Sequence, residues 1–234
     1  MKIDAGAPIV SGKSGILLRL LKLDRIKGID YNNCLDLGAG NGAYSLELRN
    51  KIRQVTAFDI NLAYLKNLNS KHDASISIVN GESAGLPFKN NSFESIFLIE
   101  TVEHFVELEK TVSEIYRVSK PGAVINITVP NKYFILETHH IYLFGKTVDG
   151  RYFPFLPMVD FIFKRIGAAR RFSVKSLKNV FNDKQFQLLG YDYMLPPFDN
   201  SKLGQKYLKP LSGFIESCKL IFLYPTLIVV FKRI

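Results

Sequence analysis

The order of its elements predicts an α/β protein, a doubly wound and mostly parallel sheet with helices on both faces. Three observations carry that prediction. Five short β-rich runs alternate with helical stretches through the first 131 of the 234 residues, the pattern of parallel βαβ units. A glycine-rich loop, Gly38-Ala39-Gly40-Asn41-Gly42, follows the first run and precedes a helix, where backbone must come close to a ligand. The second run ends in an acid, Asp59, at the end of a strand where such sheets bind their ligands.

Each element has its own signal. Ile16, Leu17, Leu20, Leu21 and Leu23 share one helical face within residues 15–26. Residues 33–37 read as a short buried strand, 43–52 as a helix and 54–59 as the second strand. Asn61 suits the N-cap of a helix from 62 to about 71. Residues 75–79 alternate as a strand does, 80–92 form a polar loop, and 93–99 are again β-rich. Phe105, Leu108, Val112, Ile115 and Tyr116 mark an amphipathic helix that ends before Lys120-Pro121-Gly122, and 123–129 is a β-branched strand stopped by Pro130. Beyond 131 the composition changes: residues 132–172 hold ten of the chain's 29 aromatics and lose regular periodicity. Residues 173–181 then read as a helix, and 186–194 and 226–231 as strands. Leu203, Tyr207, Leu211, Phe214 and Cys218 line one helix face, bent or broken at Pro210.

Composition narrows the function classes. A chain 47% hydrophobic and 22% charged is not disordered. Two cysteines, Cys34 and Cys218, cannot build a disulfide framework or a four-thiolate zinc site. The longest apolar stretch, 220–231, is shorter than the roughly 20 residues of a membrane span. The opening MKIDAGAPIV lacks the apolar core of a signal peptide, so a soluble, cytoplasmic protein is expected. The net charge of +10 is uneven: residues 132–234 carry 16 basic and 7 acidic side chains, net +9. That asymmetry suits an anionic partner or a basic solvated surface. Residues 6–14 imitate a phosphate-binding loop, but five residues separate Gly6 from Gly12 instead of four, Pro8 intervenes and no strand precedes them.

The glycine loop alone fits two readings, since Gly38, Gly40 and Ala43 also satisfy a relaxed dinucleotide fingerprint. The surrounding blocks separate them. Asp36-Leu-Gly-Ala-Gly-Asn-Gly42 resembles motif I of class I S-adenosylmethionine (SAM)-dependent methyltransferases, of the methyltransferase type 11 kind. Phe58-Asp59-Ile60-Asn61 resembles the end of that family's second strand, and Gly81-Glu-Ser-Ala-Gly-Leu-Pro-Phe88 its loop after the third, with Glu82 and Ser83 where Asp and Ala are usual. Ser92-Phe-Glu-Ser-Ile96, Val102-Glu-His-Phe105 and Ser119-Lys-Pro-Gly-Ala123 are similar to three further blocks, so that six fall in order over residues 33–131.

The resemblance implies a Rossmann-like seven-stranded sheet of order 3-2-1-4-5-7-6 with strand seven antiparallel, strands six and seven coming from 186–194 and 226–231. It implies one class I domain over residues 1–234. A SAM-binding part covers about 28–131, an aromatic and basic insert after strand five about 132–172, and 173–234 completes the sheet. It implies SAM as cofactor, contacted by Asp36, Gly38, Ala39, Gly40, Gly42, Asp59, Ile60, Glu82, Ser83 and Glu100. Asp59 would hold the ribose diol, since a carboxylate accepts two hydrogen bonds. Glu82 would sit near the adenine amino group, with the N–H of Ser83 on the ring.

An acceptor oxygen or nitrogen can need a general base. His104 follows strand four near the expected transfer zone. His139 and His140 end a Pro130-Asn131…Glu137-Thr138-His139-His140 run that resembles a subset of these enzymes. These three histidines are the catalytic candidates, with Glu137 a further candidate beside His139 and His140 for a base or a metal site, against a bland role in packing and hydrogen bonding; His72 reads as a surface residue. Adjacent histidines such as His139 and His140 point different ways, and no metal site is expected.

The insert combines Tyr142, Phe144, Tyr152, Phe153, Phe155, Phe161 and Phe163 with Lys146, Arg151, Lys164, Arg165, Arg170 and Arg171. It suits a small-molecule, glycan or lipid-linked acceptor, with peripheral contact to a membrane surface. RNA, stacked on aromatics and held by cations, is a weaker alternative. A non-catalytic SAM-fold module is another.

Overall fold

The computed structural model describes residues 12–29, 31–69, 75–198, 206–207, 209–218 and 220–234. Helix α1 (Lys13–Ile26) leads into β1 (Tyr31–Leu37), α2 (Ala43–Leu48), β2 (Ile52–Asp59), α3 (Leu62–Asn69) and β3 (Ile76–Asn80). Then come β4 (Phe93–Ile99), a 3-10 turn (Val102–His104), α4 (Leu108–Val118) and β5 (Ser119–Pro130). The insert contributes β6 (His140–Leu143), β7 (Lys146–Asp149) and α5 (Asp160–Ile166). The chain closes with α6 (Val174–Val180), β8 (Phe186–Met194), α7 (Lys209–Cys218) and β9 (Thr226–Arg233).

The main sheet has seven strands in the order β3-β2-β1-β4-β5-β9-β8. β1 pairs in parallel with β2 and β4, while β9 runs antiparallel between β5 and β8. Counted within this sheet, β8 and β9 are its sixth and seventh strands, so the order is the expected 3-2-1-4-5-7-6. The insert's two strands pair with each other as a separate hairpin, and Ile141 of β6 also forms an isolated antiparallel bridge with Gly167.

Alternation along each strand feeds two cores. Leu35 and Leu37 of β1, Ile96 and Leu98 of β4, and Leu227, Val229 and Phe231 of β9 face α4 and α6. Cys34, Phe97, Ile99, Ile228 and Val230 face the layer of α1, α2 and α3. Central strands are therefore apolar on both faces, as a parallel sheet covered on both sides requires. The fully buried leucines and phenylalanines among these each remove about 1.5–3 kcal/mol worth of apolar surface from water.

Several expected boundaries shift. The helix expected over 43–52 stops at Leu48, because Ile52 is buried as the first residue of β2. β5 begins at Ser119, so Lys120-Pro121-Gly122 lies in the strand, where a register shift absorbs it. Asn61 does cap α3: its Oδ1 accepts the N–H of Ala63 at 3.0 Å. Ser173 caps α6 through a reciprocal capping box with Ser176. α7 begins only at Lys209, with Pro210 as its second residue, where a first-turn proline gives up no helical hydrogen bond; residues 201–205 and 208 lie outside the described residues. Phe214 on that helix is exposed rather than on an inner face. Leu203, His72 and residues 6–11 lie outside the described residues. No helix among the described residues is long and apolar enough to cross a membrane.

Gly42 has φ +76°, and a Cβ there would meet the Leu68 side chain at 2.6 Å. Gly42→Ala is therefore expected to lower unfolding free energy by about 1–3 kcal/mol, read as a lower denaturant midpoint with an unchanged slope. A variant as stable as the parent would show that Leu68 yields freely.

Candidate active site

Three strand ends and two loops enclose a cavity of about 440 Å³ at the carboxyl edge of the sheet, between β1 and β4 where the strand order reverses. The first wall is the glycine loop. Gly38 has φ +83°, and a Cβ on it would lie 2.2 Å from the Thr101 methyl, so only glycine lets the loop pass the turn after β4. Its N–H and that of Ala39 both donate to the Phe58 carbonyl, at 2.8 and 3.0 Å.

Asp59 ties this loop to β2. Its Oδ2 accepts the N–H of Gly40 at 2.8 Å, and its Oδ1 accepts that of Asn61 at 2.7 Å. Each oxygen keeps a further lone pair for a ligand hydroxyl. Asp36 is 2% exposed and accepts the Ser45 hydroxyl at 2.5 Å. Burial pushes its carboxyl up to about 6, against the Ser45 bond, which lowers it, while the Asp59 charge raises it further.

The wall beyond β3 is Gly81-Glu82-Ser83-Ala84. Ser83 turns its hydroxyl to Thr111, 3.2 Å away. Arg117 and Glu114 of α4 clamp the rest of this loop: Arg117 donates to the carbonyls of Phe88 (2.6 Å) and Leu86 (2.8 Å), and Glu114 accepts the Leu86 N–H at 2.8 Å. Glu100 follows β4 directly, with φ +52°, an uncommon conformation outside glycine. Its N–H donates to the Thr128 carbonyl at 2.9 Å and its Oε1 accepts the Thr128 hydroxyl at 3.0 Å.

Of the expected cofactor residues, Asp36, Gly38, Ala39, Gly40, Asp59, Ile60, Glu82, Ser83 and Glu100 all line this cavity. Gly42 does not: it packs against Leu68, and its glycine is a requirement of the core. Among the catalytic candidates, His104 lines the cavity. His139 stands behind it, their rings edge to face at 5.7 Å. His140 is exposed on β6, paired in register with Asp149, and is not among the residues that line the cavity. Sequence reasoning missed Tyr44, Tyr64 and Thr101 in the lining and the Arg117–Glu114 clamp. A clamp residue carries no motif of its own.

The insert's cations divide by role. Arg171 donates to the carbonyls of Asn131 (2.7 Å) and Phe134 (2.8 Å), and its burial pulls the guanidinium down to about 10. Arg170 donates to the Phe105 carbonyl and, through its backbone N–H, to that of Glu103 at 3.3 Å. Arg151 is paired with Asp149 at 2.6 Å. Arg170 and Arg171, expected to face the acceptor, are spent fastening the insert to the sheet. Lys146 and Arg165 are exposed.

The comparisons with known proteins agree with this geometry. Residues 35–127 match the family described as methyltransferase domain. The chain is 29% identical over 145 residues to a ubiquinone/menaquinone biosynthesis C-methyltransferase of Wigglesworthia glossinidia brevipalpis, covering 55% of this chain and 58% of that protein. It is 30% identical over 128 residues to 24-methylenesterol C-methyltransferase 2 of Arabidopsis thaliana, covering 50% and 36% respectively. The chain thus spans between about a third and three fifths of the length of these curated relatives. Among solved structures, an S-adenosylmethionine-dependent methyltransferase from Mesorhizobium loti superposes with a TM-score of 0.63 at 13% identity, over 90% of this chain and 95% of that one. The [4+2]-cyclase SpnF does so with a TM-score of 0.63 at 15% identity, over 98% and 85%. The fold is that of the class I SAM-dependent methyltransferases, and residues 35–127 are similar to the methyltransferase domain family.

The residues present fit SAM. The cavity is of ligand size, its glycine loop leaves no room for a Cβ at Gly38, and the carboxylates of Asp36, Asp59 and Glu82 line it. These would meet a cation and a vicinal diol.

The buried Asp36 gives a signed pH dependence. With its folded value raised to about 6, the carboxyl is comfortable protonated. Ionising it as pH rises from about 4 through 6 therefore costs the ligand-free protein stability. Binding of cationic SAM favours the ionised form, so affinity is expected to weaken by up to about tenfold per pH unit below about 6. Calorimetric titration between pH 5 and 7.5 measures this, and Asp36→Asn should flatten the profile. A wild-type profile already flat would remove Asp36 from the cation's surroundings.

Proposed function

We propose that this protein transfers the methyl group of SAM to a small-molecule, glycan or lipid-linked acceptor. The observation that carries the reading is Asp59: at the end of β2, inside the cavity, it holds the backbone of the glycine loop by one oxygen and the start of α3 by the other. SAM brings a methyl already activated on sulfonium, so the protein's contribution is alignment and exclusion of water. Asp59 and Glu82 would orient the nucleoside, Asp36 the cationic end, and the glycine loop the backbone contacts. Residues 28–131 form the cofactor half on this reading, 132–172 the acceptor side, and 173–234 complete the sheet.

Two features support an acceptor with an apolar part. The curated relatives named above are, by their names, sterol and quinone C-methyltransferases. The insert exposes Phe144, Tyr152, Phe155, Met158 and Phe161, Phe144 almost wholly, more bare aromatic surface than solubility favours. A cytoplasmic enzyme working at the edge of a membrane, with Lys146 and Arg165 toward lipid headgroups, accommodates both.

Incubation with methyl-labelled SAM and native extract, separated into lipid, small-molecule, protein and RNA pools, tests the reading. Label is expected in the lipid or small-molecule pool; label in RNA alone would replace the acceptor class. Asp59→Ala is expected to weaken SAM binding by at least about 100-fold, the loss of two charge-assisted hydrogen bonds, with cooperative unfolding retained. Unchanged SAM affinity would overturn the cofactor assignment.

A further inference from the structure

Behind the cofactor cavity lies a cluster that the proposed methyl transfer leaves unused. Glu103, in the 3-10 turn after β4, is fully buried, and neither carboxylate oxygen has a hydrogen-bond partner among the described residues. A carboxyl group so placed loses its hydration without a hydrogen bond to replace it, a cost native proteins seldom leave standing, although the Arg19 guanidinium attracts its charge through space. Two imidazoles face it. His104 Nε2 is 4.0 Å from Glu103 Oε1, and one ligand atom from each of Glu103, His104 and His139 can be chosen so that all three lie within 4.8 Å of one another.

The third group is held firmly from outside. Glu137 is 1% exposed, and its Oε1 accepts the His139 backbone N–H at 2.7 Å and lies 3.1 Å from the ring Nδ1. A proton on Nδ1, donated to Glu137, leaves Nε2 with its lone pair. The His139 carbonyl accepts the Gly150 N–H at 3.1 Å. A Cβ on Gly150 would lie 2.4 Å from both that oxygen and the Glu137 side chain. Carboxylate behind histidine, with histidine turned toward a buried carboxylate, is how proteins orient a metal ligand.

We propose that Glu103, His104 and His139 bind a divalent first-row transition-metal ion such as zinc or manganese, with Glu137 as the positioning residue for His139. Two imidazole nitrogens with one carboxylate favour such an ion over calcium or magnesium, which prefer all-oxygen shells. Three protein ligands leave a position open, beside the cavity that His104 lines. If the function proposed above holds, an oxygen of the acceptor fills it; the ion site itself does not depend on that reading. Adjacent His139 and His140 cannot share an ion, but His139 of the insert meets His104 of the 3-10 turn.

The test uses the full chain, stripped with a chelator and titrated with zinc and manganese chloride, with cobalt(II) absorption as a readout of the ligand set. One ion per chain is expected. Glu103→Gln and His139→Ala should each weaken binding at least about 100-fold, Glu137→Gln about 10–100-fold, and His140→Ala should leave it unchanged. Glu103→Gln keeps the side-chain volume; should it fail to fold, as circular dichroism would show, His139→Ala and Glu137→Gln decide the matter. No ion bound by the wild type, or wild-type affinity in His139→Ala, overturns the proposal. SAM affinity is measured on the same samples. SAM bound without metal overturns only the ion site, and metal bound without SAM supports the ion site while removing the cofactor reading.

Discussion

Parallel pairing of β1 with both β2 and β4 brings the carboxyl ends of three strands to one edge, and every functional group described above depends on that. Asp36 lies near the end of β1 and the glycine loop leaves it, Asp59 ends β2, and Glu100 follows β4. In a parallel sheet the chain must then cross back over a face through a helix. The loops at this edge are therefore anchored twice, by the strand before and the helix after. The Asp59 carboxylate adds a third tie between two such loops. The cavity is thus a consequence of pairing register more than of any single residue.

That part of the molecule was legible because its constraints are local and recur in fixed spacing. Gly38 is written into the sequence because no side chain fits against Thr101, and Asp59 because the end of β2 is where an acid can reach the loop. Gly42 shows the limit of such reading. Its place in the motif is right, but its reason is Leu68, which lies on a different element and leaves no mark beside the glycines. The Arg117–Glu114 clamp is hidden for the same cause: an i,i+3 pair on a helix looks like surface decoration until the loop it grips is folded onto it.

The insert was illegible for a more specific reason. Its hairpin turns on Phe144-Gly145, with φ +48° and +77°. A two-residue turn with both φ values positive is usually announced by Asn-Gly or Asp-Gly. Phenylalanine in the first position removes the signal, and strands of four residues are too short to show alternation. The charge of the C-terminal part was countable but not interpretable. Arg170 and Arg171 bind backbone carbonyls of the loops after the 3-10 turn and after β5, so part of the apparent basic field is mortar between insert and sheet.

The same mortar decides what the two neighbouring histidines do. Arg170 grips the turn that carries Glu103 and His104, while Arg171 grips the segment that leads from Asn131 toward Glu137 and His139. Two consecutive arginines thus fasten both halves of the cluster to one short stretch of chain. At its end β6 begins, and His140, the next residue, is exposed opposite Asp149 while His139 stays against His104. Glu137 reinforces the choice, since its carboxylate engages both the backbone and the ring of His139. Sequence adjacency made the pair look equivalent. Their difference comes from where the strand starts, and that is fixed by Gly150, the only residue type that lets β7 end against Glu137.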